Sequence, residues 1–522
     1  MSFGNENNGV EPVTTIMAFM EHLPEFLEHL SNTIWAWVGI PILLLTGLYF
    51  SGIGKLAQVR MLPEMFRVLK DRVGGDHEGR KPISSFKAFT ISAASRVGTG
   101  NIVGVAAAVA VGGPGSVFWM WIVALLGGAS SFVESTLGQL YKSDEHYRYH
   151  GGPAYYIQKG LELKWMAMLF AVVISITYGL IFNAVQANSI VDAMQGAIGL
   201  AADSEHLPYF KYAMAALLAL ATSVVIFGGV HSISKVSVTV VPVMALLYIG
   251  MGALVVLLNL PKVPGMFADI FSHAFGFKSI VGGGLGSAIV IGVRRGLFTN
   301  EAGMGSVPNA GATASISHPV KQGLVQTLGV YVDTMIVCTM TAFIIMLSDP
   351  SYGPQNSDRG ASLTQMALAT QLGDWALVFL TFAIFLFAFS SIVGNYYYGE
   401  SNIQYMFKRR IWLQLFRVAV ICFVIIGSLA KVSVVWALSE IAMPIMTLIN
   451  LCALMMLGGI AMKLLRHYTA QRRQGLEPIF HRDDLPEIKN IECWDGTDEI
   501  ARRETWERFD REKAERRAAR GK

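Results

Sequence analysis

A chain of 522 residues that is 53% hydrophobic and 15% charged, with a mean hydropathy of +0.47, carries more apolar surface than one soluble core of that length can bury. Its apolar residues run in blocks of about 20, the length of a helix that crosses a bilayer, so pattern as well as amount excludes a soluble fold. A net charge of +4 is too small to point to a nucleic-acid partner.

The first thirty residues are polar and acidic, with Glu6, Glu11, Glu21, Glu25 and Glu28. They lack the basic start and short apolar core of a cleaved signal, so residues 1–32 are expected to remain as an extracellular segment. Apolar segments follow at 33–54, 86–112, 115–141, 165–190, 211–229, 233–260, 279–306, 320–347, 374–398, 411–430 and 432–464, eleven in all. They are blocks rather than ten-residue alternations, which predicts helices and not an outer-membrane barrel. The segment at 33–54 stands apart, and the other ten divide into five at 86–260 and five at 279–464.

Charge gives the orientation. The loop after the first segment holds Lys55, Arg60, Arg67, Lys70, Arg72, Arg80 and Lys81. Lys142, Arg148 and Lys159 follow the third, and Lys408, Arg409 and Arg410 follow the ninth. The loop at 191–210 holds Asp192, Asp203 and Glu205 and neither Lys nor Arg. Basic loops stay in the cytoplasm, which puts the N-terminus outside and the C-terminus inside, in a bacterial inner (plasma) membrane. Residues 465–522 form a charged cytoplasmic tail ending in a helix-like run from Thr497 to Arg520. It reads as a solvated helix or disordered tail, with at most a weak surface contact. Cys338, Cys422 and Cys452 lie in apolar blocks and Cys493 in the tail. That is neither a disulfide framework nor a metal spacing, and the first three read as small buried apolar residues.

Two segments are interrupted. The second contains Arg96-Val97-Gly98-Thr99-Gly100-Asn101-Ile102-Val103-Gly104, and the seventh runs Arg294-Arg295-Gly296-Leu297-Phe298-Thr299-Asn300-Glu301-Ala302-Gly303-Met304-Gly305. Each places glycines, costing about 1 kcal/mol of helix stability apiece relative to alanine, and polar side chains mid-span. Each is the first of its group of five, and an odd number of spans per repeat inverts the second copy. Interruptions at corresponding places in two halves mark a transporter's substrate site. Unwound N–H groups suit a carboxylate and unwound carbonyls a hard cation. Simple close packing through Gly100 and Gly104 would explain one such segment, but two in register favour a site. The glycine spacing and the lack of a preceding strand exclude a nucleotide-binding loop.

Other polar groups lie at membrane depth: Asn183 and Gln186 in the fourth segment, Asp333 and Thr334 in the eighth, and Ser390, Ser391 and Asn395 in the ninth. An intramembrane acid is a functional candidate, although Asp333, Glu134 and Glu301 would equally serve as ion-pair partners of Arg96, Arg294 or Arg295. The serines have a bland alternative too, in bonding back to their own helix.

Several stretches resemble the alanine or glycine:cation symporter family from about residue 30 to 465. They are Gly98-Thr99-Gly100-Asn101-Ile102, Gly151-Gly152-Pro153-Ala154-Tyr155-Tyr156, Gly296 to Gly305, Asp333-Thr334, and Phe389-Ser390-Ser391 with Tyr397-Tyr398-Gly399-Glu400. The resemblance implies an all-α membrane protein: one extra N-terminal helix plus a 5+5 inverted repeat, as in the bacterial leucine transporter fold. It also implies sodium-coupled uptake of small neutral amino acids such as alanine or glycine, with sodium as the co-transported ion and no further cofactor. In that picture Gly98, Thr99 and Gly100 hold the substrate carboxylate. Gln186 and Phe298 line the pocket, and Asn300 and Gly303 of the second break complete it. Asn101 and Thr299 reach one cation position with Asp333 nearby. Ser390 and Ser391, with the carbonyls of Ala94 and Val97, form another. The family pattern has Trp after the glycine of the ninth segment where this chain has Asn395, which leaves room and donors for a larger polar substrate such as glutamine.

A channel would favour symmetric subunits and a repeated filter. An intramembrane enzyme would need an activated nucleophile or metal ligands, and no histidine lies mid-span with a usable partner (His231 and His318 are at segment ends). Proton coupling through Asp333 or Glu301 remains the alternative to sodium.

Overall fold

The computed structural model describes residues 29–71, 83–145, 148–201, 203–275, 284–348, 352–353, 360–509 and 511. The acidic residues expected outside (Glu6 to Glu28), the loop cations Arg72, Arg80 and Lys81, and the end of the run at 497–520 lie outside the described residues.

The chain is mostly helical. α1 (His29–Ile53) is followed by the amphipathic α2 (Leu62–Leu69). The second predicted segment is a bent pair, α3 (Ser85–Arg96) and α4 (Gly100–Gly112), meeting at 53°. Next come α5 (Gly115–Leu140), a hairpin of β1 (Ser143–Glu145) and β2 (Arg148–His150), α6 (Pro153–Gly160) and α7 (Lys164–Ala197). α8 (Leu207–Phe227), α9 (Gly229–Leu258) and α10 (Val263–Ala274) complete the first half. The second half holds α11 (Gly284–Asn300), α12 (Val307–Gly311), α13 (Val320–Met346), α14 (Gly360–Leu372), α15 (Trp375–Met406), α16 (Arg410–Leu429) and α17 (Val432–Arg473).

Among the described residues, nine helices are long and apolar enough to cross a membrane, or ten if the bent pair counts as one span. The seventh predicted segment is not among them. Its helix α11 has 17 residues, about 25 Å at 1.5 Å per residue, and then the chain unwinds. Six elements escaped the sequence reading: α2, α6, α10, α12, α14 and the hairpin are too short or too amphipathic for a hydropathy reading to register.

Burial separates core from lipid face. Most of α5 and α13 is buried, whereas only 28% of the α8 span and 33% of the α16 span are. Leu217, Leu220, Val224, Leu246 and Phe382 point outward, as side chains meeting acyl tails should. α5 reaches the centre because it is lined with small residues, Gly127, Gly128, Ser130, Ser131 and Ser135, which let neighbouring backbones approach. A Cβ at Gly127 would stand 2.9 Å from Ala302, and one at Gly138 2.8 Å from Pro308. α1 docks on α17 for a backbone reason. Pro444 lacks the N–H that would bond the carbonyl of Glu440, and Ser31 Oγ (3.2 Å) and Trp35 Nε1 (3.1 Å) donate to that carbonyl instead.

The tail corrects the sequence reading. Residues 474–509 are not a solvated extension but a strap packed across one face of the bundle, with Phe480, Ile488, Trp494, Ile500 and Trp506 buried. These anchors are single apolar residues spaced irregularly among charges, so no periodicity announced them.

Candidate functional site

The two breaks meet at the centre. In the first, the Val97 N–H closes α3 on the carbonyl of Ala93 (2.8 Å), and the Gly98 N–H turns back to Arg96 O (3.0 Å) and the Asn101 Oδ1 (3.0 Å). Thr99 donates its N–H (3.1 Å) and hydroxyl (3.0 Å) to Gln186 Oε1. Gly100 then opens a π-helical turn, Gly100–Gly104. Further wide turns lie in α7 at Thr177–Phe182 and in α13 at Val332–Cys338. Such turns widen a helix locally and often accompany functional sites.

Both glycines of the break are sterically required. A Cβ at Gly100 would lie 2.8 Å from the ring of Phe298, and one at Gly98 would run into the Ser391 hydroxyl. Phe298 stands between Phe182 (5.1 Å) and Trp436 (5.2 Å, ring centroids). Trp436 also borders a cleft of about 180 Å³ that reaches Gly104, Asn188 and Arg295.

Two clusters of oxygens flank the break. Ser391 Oγ sits 3.0 Å from Ala94 O, 3.1 Å from Ser95 O, 3.5 Å from Val97 O and 3.1 Å from Phe387 O. One hydroxyl proton serves one acceptor, so it cannot occupy the carbonyls of Ala94, Ser95 and Val97 together, and these with the Ser391 hydroxyl make an oxygen set that suits a small hard cation. Ser390 does not join it: its hydroxyl bonds back to Phe387 O (2.9 Å). In the second cluster Asn101 Nδ2 donates to Asp333 Oδ1 (2.5 Å), and the Thr334 hydroxyl to Asp333 Oδ2 (3.2 Å). Thr299 faces Asp333, and Thr341 donates to Asn101 O (2.7 Å).

The second break is pinned by an acid for which the sequence left two readings open, a functional group or an ion-pair partner. Glu134 of α5 accepts from the N–H groups of Gly303 (3.1 Å) and Gly305 (3.0 Å) and from Asn450 Nδ2 (2.9 Å). Asn450 also bonds Gly303 O (2.9 Å) and pairs with Tyr156. Gly303 and Gly305 both have φ of +81°, where a side chain is strained. Glu301, at φ +56° without being glycine, is held by Ser95 (2.8 Å) and Ser306 (2.7 Å). Ser95 Oγ also lies 2.6 Å from Asn395 Oδ1. Gly394 makes that approach possible, since a Cβ there would be 2.6 Å from Ser95 N.

Gly98, Thr99, Gly100, Gln186 and Phe298 therefore converge, with Asn395 joined through Ser95. Asn300 and Gly303 lie elsewhere: Asn300 bonds Thr334 (3.2 Å) and the Ala302 N–H (3.0 Å), and Gly303 belongs to the Glu134 clamp. The direct partners of Asp333, Glu134 and Glu301 are amides, hydroxyls, backbone N–H groups and, for Asp333, the Cys338 thiol (4.0 Å). Arg294 and Arg295 pair instead with Glu440 (3.0 and 2.8 Å). Buried Arg96 donates to Gln326 O (3.0 Å). Sequence reasoning missed Ser95, Asn450 and Trp436, and the available signal was only a polar or aromatic residue in an apolar block.

Nine or more apolar spans, with unwound backbone buried at their centre, define a multi-pass membrane protein of the broken-helix carrier fold. That fold is similar to the crystal structure of MhsT in complex with L-phenylalanine, at a TM-score of 0.54 and 17% identity over 71% of this chain and 89% of that one. Residues 20–482 match the sodium:alanine symporter family, and the chain belongs to it. It is 50% identical to the amino-acid carrier protein AlsT of Bacillus subtilis (strain 168) over 89% of this chain and 96% of that one. It is 45% identical to the probable sodium/glutamine symporter GlnT of the same organism over 91% and 98%. A sodium/proton-dependent alanine carrier protein of Bacillus sp. (strain PS3) is 33% identical over 79% and 94%.

Proposed function

We propose that this cation-coupled amino acid symporter carries a small neutral amino acid into the cell together with sodium, by alternating access around the two breaks. The observation that carries the substrate reading is Gln186. Its Oε1 accepts from both the N–H and the hydroxyl of Thr99, the arrangement that a substrate carboxylate oxygen would take over. Ser391 with the carbonyls of Ala94 and Val97 is the better supported cation position; Asn101, Thr299 and Asp333 make a second. With sodium moving inward, 100 mV supplies about 2.3 kcal/mol per charge, roughly a 50-fold accumulation from the potential alone.

The architecture that fits this cycle has eleven spans. The helix at 33–54 precedes two inverted five-span repeats at 86–260 and 279–464. The N-terminus lies outside and the segment from 465 onward lies in the cytoplasm.

Asn395 points the substrate choice toward glutamine beside alanine. Its Nδ2 is buried without a hydrogen-bond partner among the described residues, a donor for a side-chain carbonyl. The relative named a probable sodium/glutamine symporter supports the same choice.

The test is uptake of labelled alanine and glutamine into proteoliposomes, with an inward sodium gradient or with choline. Accumulation should need sodium, be lost in Asn101→Ala, and in Ser391→Ala fall at low sodium and return as sodium is raised. Failure of glutamine to displace alanine would remove the Asn395 reading. Uptake that ignores sodium and follows a pH gradient would shift the coupling ion to a proton. That second reading is favoured by two acids buried among neutral partners, Asp333 and Glu301.

A further inference from the structure

The strap at 474–509 is seated on elements from both halves of the chain. From the first half it takes the end of α5 together with β1 and α6. Trp494 Nε1 donates to Gln139 O (3.2 Å), Lys142 lies over the Trp494 ring (4.4 Å), and Glu492 bonds Ser143 (2.8 Å) and Lys159 (2.6 Å). From the second half it takes the loop between α12 and α13. The Phe480 N–H donates to Ser317 O (2.9 Å), the Ser317 hydroxyl to Pro478 O (2.7 Å), and Ser315 to Asp498 (2.8 Å). Buried Lys321, at the start of α13, bonds Asp71 (2.6 Å) and pairs with Glu477, and Trp506 covers it at 4.4 Å. The same loop holds the entrance to the first broken helix, because the Ser315 N–H donates to Ile83 O (2.9 Å), just before α3.

For this face to open toward the break at 97–100, the elements held together here, α3, the 312–317 loop and the end of α5, would have to part. The strap bridges that loop and α5, adding to the direct bonds from Gln139 Nε2 to Gly311 O (2.6 Å) and Ala314 O (2.9 Å), so a seated strap opposes their parting. We propose that residues 474–509 are a latch on the tail side of the carrier, which must lift before that side opens. This rests on the alternating-access reading above.

The test uses Ser315→Cys with Asp498→Cys, side chains that are in hydrogen-bond contact, in the full chain in proteoliposomes. The expected result is a cross-link under mild oxidant that lowers substrate flux by about tenfold or more, with full recovery on reduction and no effect of oxidant on either single variant. Unchanged flux in the cross-linked protein would overturn the latch. So would failure to cross-link in protein that transports, since the strap would then not be seated there. If the reduced pair is inactive while the parent transports, Ser143→Cys with Glu492→Cys asks the same question at the other anchor. Inactivity of the parent itself would instead sink the carrier reading.

Discussion

At the scale of single residues, Ser390 and Ser391 are neighbours with opposite fates. The turn of α15 aims Ser391 at the carbonyls freed by the first break and leaves Ser390 to bond its own helix. Ser391→Ala should raise the sodium concentration for half-maximal uptake by about tenfold, equivalent to roughly 1.4 kcal/mol, while Ser390→Ala changes it less than about twofold. Uptake measured against sodium concentration checks both, and equal effects would remove Ser391 from its proposed position. Gly100→Ala is the steric counterpart. Its Cβ would meet the Phe298 ring at 2.8 Å, and overpacking of this kind costs about 1–3 kcal/mol. Uptake should fall by about tenfold or more, and Gly100→Ala with Phe298→Leu should recover part of it; no recovery would point away from that contact.

At the scale of elements, the second break keeps its shape because one carboxylate from α5 satisfies two N–H groups that no helix can. Glu134→Gln replaces an acceptor with an amide that presents a donor to them, and an orphaned buried donor costs about 1–3 kcal/mol. The variant should unfold at a lower temperature in detergent and lose uptake. An unchanged melting temperature would show that the loop is held by something else. The loop beneath the strap has its own sensitivity. His318, buried beside His467 (3.1 Å) and near Lys321, has its imidazole held well below the usual histidine range by burial, with both neighbours adding to the effect. Asp484 lies beyond His467 at 3.7 Å. The folded state therefore keeps His318 neutral, whereas the unfolded chain takes up a proton below about pH 6.5. Stability from this residue is complete above that pH and is lost as pH falls through it. The melting temperature should drop less between pH 7.5 and 5.5 in His318→Asn than in the parent, and identical drops would exclude His318 as the source.

At the scale of the whole molecule, the arrangement divides labour between a lipid-facing rim and a polar centre. α8 and α16 expose much of their surface, while α5, α13 and the two breaks are enclosed. Polar groups are expensive in hydrocarbon, so the charged ones concentrated at the centre have to find partners there. The Glu134, Glu301 and Asp333 sets do so with hydroxyls, amides and backbone N–H groups. A carrier built this way should couple its solutes tightly: with substrate absent, labelled sodium should enter proteoliposomes at no more than about a tenth of its rate with substrate, because alternating access needs the occupied centre to close. Equal rates would mean a leak through the breaks.

Chain order and composition by themselves determined where apolar segments lie, that two of them break at Gly98–Gly100 and near Gly303, and which polar side chains must be buried. Segment length and glycine placement are local properties, and a bilayer leaves few alternatives for either. Only the tertiary structure decided which of two adjacent serines faces the break, that Glu134 is a clamp and not an ion-pair partner, and that the arginines beside Phe298 turn to Glu440. It also decided that a charged tail is a packed strap. Those outcomes depend on pairs more than a hundred residues apart, such as Glu134 with Asn450 or Phe480 with Ser317, and no local period in a sequence records a contact of that span.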